Sequence, residues 1–155
     1  MQDVTLGAAL EREHREIDEN LERFTSGLER GEWDPAPLHA ASAALRRHIY
    51  LEEEMFFPPL RQTGLVAPVA VMLREHGDIW RALDEVEARA GQQTDPESVR
   101  RAYDDLAYLL DAHNQKEEQI LYPQDQTLTD KQTAELRAFM ATGTLPDGWI
   151  CQDLR

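Results

Sequence analysis

The sequence predicts an all-α fold: an antiparallel up-down-up-down four-helix bundle with a short fifth C-terminal helix. Three observations carry this. Apolar residues recur at alternating steps of three and four along four long segments. The breaks between these segments are short and hold Gly and Pro. No segment shows the strict alternation of a strand. Short connections favour antiparallel neighbours.

The first helix spans about residues 5–30. Leu6, Leu10, His14, Ile17, Leu21, Phe24 and Leu28 form one stripe, with Thr5 as N-cap and Gly31 as stop. After GEWDPAP a second helix starts near Pro35 or Pro37, carries Leu38, Ala41, Leu45, His48, Glu52 and Met55, and ends at Pro58-Pro59. The third begins around Pro68 and places Val69, Leu73, His76, Trp80, Leu83 and Val86 in line, running out near Gly91. The run TDPES (94–98) gives a capped start to the fourth. That helix carries Val99, Tyr103, Leu106, Leu110, His113, Glu117 and Leu121 and runs to about Tyr122-Pro123. The short fifth helix, TDKQTAELRAFM, is capped by Thr129, and an irregular tail follows in which Trp149 and Ile150 are expected to dock on the bundle. The whole, residues 1–155, reads as one domain, with the bundle over about 5–123 and the short helix and tail over 127–155.

The formal net charge of −14 argues against nucleic acid and anionic membrane as partners, since both select basic patches. No apolar run is long enough for a transmembrane helix. MQDVTLGAALEREHRE lacks the basic and apolar regions of a secretory signal. The single cysteine, Cys151, excludes an intramolecular disulfide and reads as an inert tail thiol. A cytoplasmic setting is the expectation.

The chain repeats itself. HIYLEEEMFFP (48–58) and HNQKEEQILYP (113–123) both place Glu four after His, a second Glu next, and Pro ten after His. EHREIDENL (13–21) and EHGDIWRAL (75–83) both read Glu-His, then Ile three and Leu seven after the His. Two similar helical hairpins each supply one lone His and one His-x-x-x-Glu. Residues four apart share a helix face, so His48 pairs with Glu52 and His113 with Glu117. All six polar residues fall in phase with apolar stripes. With three positions in seven facing a core, that happens by accident about 0.6% of the time. The fifth histidine, His39, has no carboxylate four residues away and reads as a surface or rim residue.

One histidine on an apolar face is more often a core residue with one hydrogen bond, and a metal-free helical interaction domain is the reading to beat. Six such groups buried unpaired would cost several kcal/mol each. A metal explains their number and symmetry together. The absence of cysteine ligands removes the common structural zinc sites, and all-oxygen calcium or magnesium sites do not use four imidazoles. Imidazole with carboxylate suits iron, manganese or zinc. Four histidines and two glutamates suit two ions, each on two imidazoles with both glutamates bridging, leaving room for an oxo or hydroxo bridge and an open position. The ferritin-like arrangement needs Glu-x-x-His on two helices, and Leu45 and Leu110 stand where those glutamates would be.

The ordered set His14, His48-x-x-x-Glu52, His76, His113-x-x-x-Glu117 resembles the hemerythrin-like, or HHE cation-binding, family over about residues 5–123. The resemblance implies a non-haem di-iron centre in a four-helix bundle. His14 and His48 would bind one iron, His76 and His113 the other, with Glu52 and Glu117 bridging. It also implies binding or sensing of O₂ or NO, or of iron and redox state. Oxygen-carrying relatives have a fifth histidine one turn after the third. Here that place is Trp80, read as core packing or as a wall beside the open position, and its loss favours an alternative, an enzyme degrading hydrogen peroxide. Relatives also end in His followed five residues later by Asp, where this chain has Glu118. Internal symmetry favours Glu117 as the bridge, with Glu118 and Glu53 read as solvated. Ile17, Leu45, Ile49, Leu73, Ile79 and Leu110 are expected to keep the pocket dry.

Overall fold

The computed structural model describes residues 4–93 and 95–155. They are helical, with no strand among them. Helix α1 (Leu6–Glu29) starts where the Thr5 hydroxyl accepts from the Ala8 N–H at 3.1 Å. It stops at Gly31, whose φ of +78° glycine adopts without strain. Helix α2 (Ala36–Leu51) begins with the Asp34 carboxylate accepting from the Ala36 N–H at 3.0 Å. Helix α4 (Val66–Gln92) begins two residues before Pro68 and closes at Gln93, φ +54°. Helix α5 (Pro96–Lys116) is capped by Asp95, which accepts from the Glu97 N–H at 3.0 Å; Thr94 lies outside the described residues. Helix α6 (Asp130–Thr142) opens on a capping box between Thr129 and Gln132.

The second helix does not end at Pro58-Pro59. It passes through a π turn, Glu52–Phe56, and continues as α3 (Phe57–Gln62). The fourth helix widens in the same way at Glu117–Leu121 and then tightens into a 3₁₀ stretch, Tyr122–Thr127. Proline explains both. Pro58 and Pro123 have no N–H to give, and their rings press on the carbonyl four residues back. The turn opens instead, so the Phe57 N–H reaches the Glu52 carbonyl and the Tyr122 N–H the Glu117 carbonyl.

The helices pack as a helical bundle in which α1 lies on α2 and α4 on α5. Its core has two parts. One gathers Ile17 to Leu28, Leu38 to Ile49, Ile79 to Val86 and Val99 to Leu110. The other gathers Leu6 and Leu10, Leu51 to Leu60, Val69 to Leu73, and Leu121 and Tyr122, with Leu128 and Leu136. His14, His48, Glu52, His76, His113 and Glu117 lie along their helices at the junction of the two, and all are buried. Ile17, Leu45, Ile49, Leu73, Ile79 and Leu110 are buried as expected.

The tail docks through Trp149, as expected, but not through Ile150. Trp149 packs against Trp80 and Tyr50, while Ile150 is 39% exposed and Cys151 is fully buried in the first core. Alternation along an extended segment puts residues 149 and 151 on one side and 150 on the other. Burial pushes the Cys151 thiol up to about 11, so it is an inert thiol, as expected. No described helix is long and apolar enough to cross a membrane.

Candidate metal centre

The six predicted residues meet. Two groups of donor atoms form, each with all members within 4.8 Å of one another: His14, His48, Glu52 and Glu117, and Glu52, His76, His113 and Glu117. Each glutamate reaches into both groups. Glu52 Oε2 lies 3.3 Å from His48 Nε2 and its Oε1 3.1 Å from His76 Nε2. Glu117 Oε1 lies 3.2 Å from the Nε2 atoms of both His14 and His113. Glu117 Oε2 is buried without a hydrogen bond, with His76 Nε2 4.0 Å away.

On the outer side of the cluster, the Nδ1 of each of its four histidines faces a carboxylate. His14 faces Glu118 at 2.9 Å, His48 faces Glu13 at 2.8 Å, His76 faces Glu53 at 2.7 Å and His113 faces Glu75 at 2.9 Å. A carboxylate accepts, so each Nδ1 carries the proton and donates, leaving Nε2 inward. The pairs run in a ring: α1 serves α2, the turn after α2 serves α4, α4 serves α5, and the turn after α5 serves α1. The reading of Glu53 and Glu118 as solvated is therefore overturned. Glu53 is 2% exposed at its side chain, and Glu118, though 36% exposed, still binds His14. The signal was present as Glu-His and Glu-Glu pairs recurring in both repeats.

Sequence reasoning also missed Tyr122. Its hydroxyl donates to Glu52 Oε2 at 2.7 Å and lies 2.9 Å from His14 Nε2, 3.1 Å from His48 Nε2 and 3.3 Å from Glu117 Oε1. In an α-helix residue i+5 points about 140° away from residue i. The π turn brings Tyr122 back over Glu117. The same turn brings Phe57, its counterpart in the repeat, onto His76, with ring centroids 5.6 Å apart.

The electrostatics call for cations. When the rings are neutral, four inward Nε2 lone pairs and two carboxylates face one another, and the Tyr122 hydroxyl is the one donor set among them. His14 Nε2 and His48 Nε2 stand 3.1 Å apart. In the metal-free chain, protons fill the need. Burial pulls His48 down, but Glu52 and Glu13 outweigh it and raise it well above the usual histidine range. His113 is lowered by burial and raised more by Glu117 and Glu75, to about 10. His76 moves up in the same way through Glu52 and Glu53. Burial pushes Glu52 up, yet the His48 charge and its hydrogen bonds hold it well below the carboxylate range. Burial, with Glu117 and Glu52, pushes Tyr122 well up. The donor set, the carboxylate oxygen without a hydrogen bond and the proton demand all fit bound metal.

The two sides of the cluster are covered differently. A cleft of about 430 Å³ between α1 and α5, lined by Asp18, Tyr103, Asp111 and Asn114, reaches His14 and Glu118. On the other side the tail closes over Glu53, whose Oε1 accepts from the Gln152 N–H at 2.8 Å. Gly77 permits this, because a Cβ there would collide with Asp153. Trp80 turns its ring to Arg46 (5.0 Å) and Trp149 (5.9 Å), as core packing, and His39 is exposed, as expected.

The pattern of the hemerythrin HHE cation binding domain family matches residues 5–124, and the chain belongs to that family. No curated protein and no solved structure matches the chain.

Proposed function

We propose that this member of the hemerythrin HHE family is a non-haem di-iron protein that binds or senses O₂ or NO, or iron-redox state, in the bundle core. His14 and His48 would hold one iron and His76 and His113 the other, with Glu52 and Glu117 shared between them. Iron held there supplies electron exchange with a small oxidant or diatomic ligand. The observation that carries the reading is the inward convergence of four Nε2 atoms on two buried carboxylates, one oxygen of which has no hydrogen bond.

The protein's own groups perform four tasks. The Nδ1–carboxylate pairs fix each ring and raise its basicity. The two core clusters above and below keep bulk water away. The cleft between α1 and α5, the helices of His14 and His113, gives a small ligand its approach to the cluster. The up-down-up-down topology belongs to this reading. It is supported by the order of the two core clusters, which reverses from α1 to α2, from α2 to α4 and from α4 to α5. A one-domain, cytoplasmic protein is part of the same proposal, in keeping with a lone buried thiol.

A second reading, peroxide degradation, has one observation in its favour: Trp80 stands where a fifth imidazole would be and turns away to Arg46. Elemental analysis with an absorption spectrum, on protein purified without added metal, tests the centre. Two iron per chain, lost in His76→Ala, is expected; a metal-free chain that stays metal-free on reconstitution excludes it. Optical change on mixing reduced protein with O₂ or NO supports binding. O₂ evolved from peroxide at a sustained rate supports the second reading.

A further inference from the structure

The two halves of the repeat agree at every candidate metal-binding position and at every carboxylate behind the histidines. They differ at the ring that lies nine residues after His48 and His113. One half has Phe57, the other Tyr122. Both rings are swung inward by the same π turn, and each stacks on a histidine: Phe57 on His76, and Tyr122 on His14 with centroids 5.4 Å apart. The phenol oxygen is thus placed by backbone geometry that the other half uses for packing alone.

Its placement is one-sided. The oxygen lies 2.9 and 3.1 Å from the Nε2 atoms of His14 and His48, and 2.7 and 3.3 Å from Glu52 and Glu117. It makes no hydrogen bond to His76 or His113. These four neighbours are the members of one of the two donor groups. A cation bonded to them faces the phenol oxygen as well.

We propose that Tyr122 is a fifth protein donor to the metal ion held by His14 and His48, so that the two ions are unequal. The ion on His76 and His113 keeps only four protein donors and is the one that takes an exogenous small ligand, under the Phe57 ring. The inference rests on the di-iron reading. On binding, the hydroxyl proton that Glu52 Oε2 now accepts as a hydrogen bond is released to water, and the charge of the cation takes its place. Tyr122 has no part in packing that Phe would not also satisfy, since its ring edge meets Phe56 at 5.8 Å and its flank meets His14.

The test compares wild type, Tyr122→Phe and Phe57→Tyr, each loaded with ferric iron. Wild type is expected to show a visible phenolate-to-iron charge-transfer band with phenolate modes in its resonance Raman spectrum. Tyr122→Phe loses both while keeping two iron per chain. Phe57→Tyr gains a second set and binds azide, used as a small anionic probe, more weakly than wild type. Two iron in wild type with no phenolate signal, or a signal unchanged in Tyr122→Phe, overturns the fifth donor and leaves the di-iron reading intact. Failure of wild type to hold iron overturns both. Azide binding that is weakened by Phe57→Tyr supports the assignment of the open ion, and binding that is unaffected overturns it.

Discussion

The half of the centre built by His14 and His48 and the half built by His76 and His113 share a plan and differ in their surroundings. In each, a glutamate from a neighbouring helix grips every outward nitrogen, and both halves share Glu52 and Glu117. The first half has a phenol against it and a cleft beside it, and its Glu118 is 36% exposed at the side chain. The second has a phenyl ring against it and the tail across it, and its Glu53 is 2% exposed. A repeat sets the positions of the donors. What lies next to the donors is free to diverge, and there the two halves come to differ.

The largest effect should come from what the halves share. Glu52→Ala removes a carboxylate common to both groups, so both ions should leave together, with affinity down by more than about 100-fold, read by elemental analysis. Loss of one ion alone would show that the halves are independent sites. Chelation comes next. At free metal near 1,000 times Kd, binding contributes about 4 kcal/mol, which for a chain of this length is a fall of about 10 °C in Tm when metal is stripped.

The stripped protein should also respond to pH in its own way. His113 titrates at about 10 in the fold against an ordinary 6.5. A raised histidine stabilises fully below its unfolded value, and that contribution is lost as pH climbs through about 10. Metal-free Tm should therefore fall from pH 6.5 toward 10, whereas metal affinity should rise across the same range, because metal needs the neutral ring. Glu75 works at the other end. His113 holds it at about 2 against 4.5, with Lys116 assisting, so its contribution is present above 4.5 and is lost as pH falls toward 2. A flat alkaline limb in metal-free thermal melts would show that proton-charged histidines do not balance the core carboxylates.

Smaller substitutions sharpen the contrast between the halves. Glu53→Gln and Glu118→Gln each weaken one carboxylate behind a histidine, with expected losses of about 10- to 100-fold in metal affinity. Glu53 should lie near the upper end, since it is buried and held by the tail, and Glu118 near the lower, since water can replace it. Gly77→Ala should be smallest. The added Cβ meets Asp153 and shifts the tail, at a cost of about 1 kcal/mol in thermal or urea unfolding, with the His14 half untouched.

The helices and the six candidate residues were legible because both obey one rule: a stripe repeating every three or four residues faces the core. Thr5, Thr129 and the capping run before Pro96 were legible for the same local reason, since a cap needs only a nearby side-chain oxygen. Tyr122 was not, because 3.6-residue geometry turns it away from Glu117 and only the π turn returns it. Pro58 and Pro123 were visible, but they read as helix ends rather than as widened turns. Glu53 and Glu118 were misread because they sit one residue off the stripe. In a straight helix that position faces solvent, yet each reaches sideways to a histidine on the next helix. The tail's reach to Glu53 is a contact between residues 99 apart in the chain, and nothing local announces it.

The widened turns carry one more consequence. Each works as a phase shift of about one residue, or about 100° of rotation, in a rod that would otherwise keep a single rhythm. Upstream of the shift the rod presents His48 or His113 to the core; downstream it presents Phe57 or Tyr122 to the core as well, against His76 or His14. Replacing Pro58, or its counterpart Pro123, by alanine would let the turn close to α-helical pitch, leaving every imidazole and both shared carboxylates in place and rotating the aromatic ring out of register. A single-codon change can in this way reset the surroundings of one half of the centre without altering any residue of the donor set.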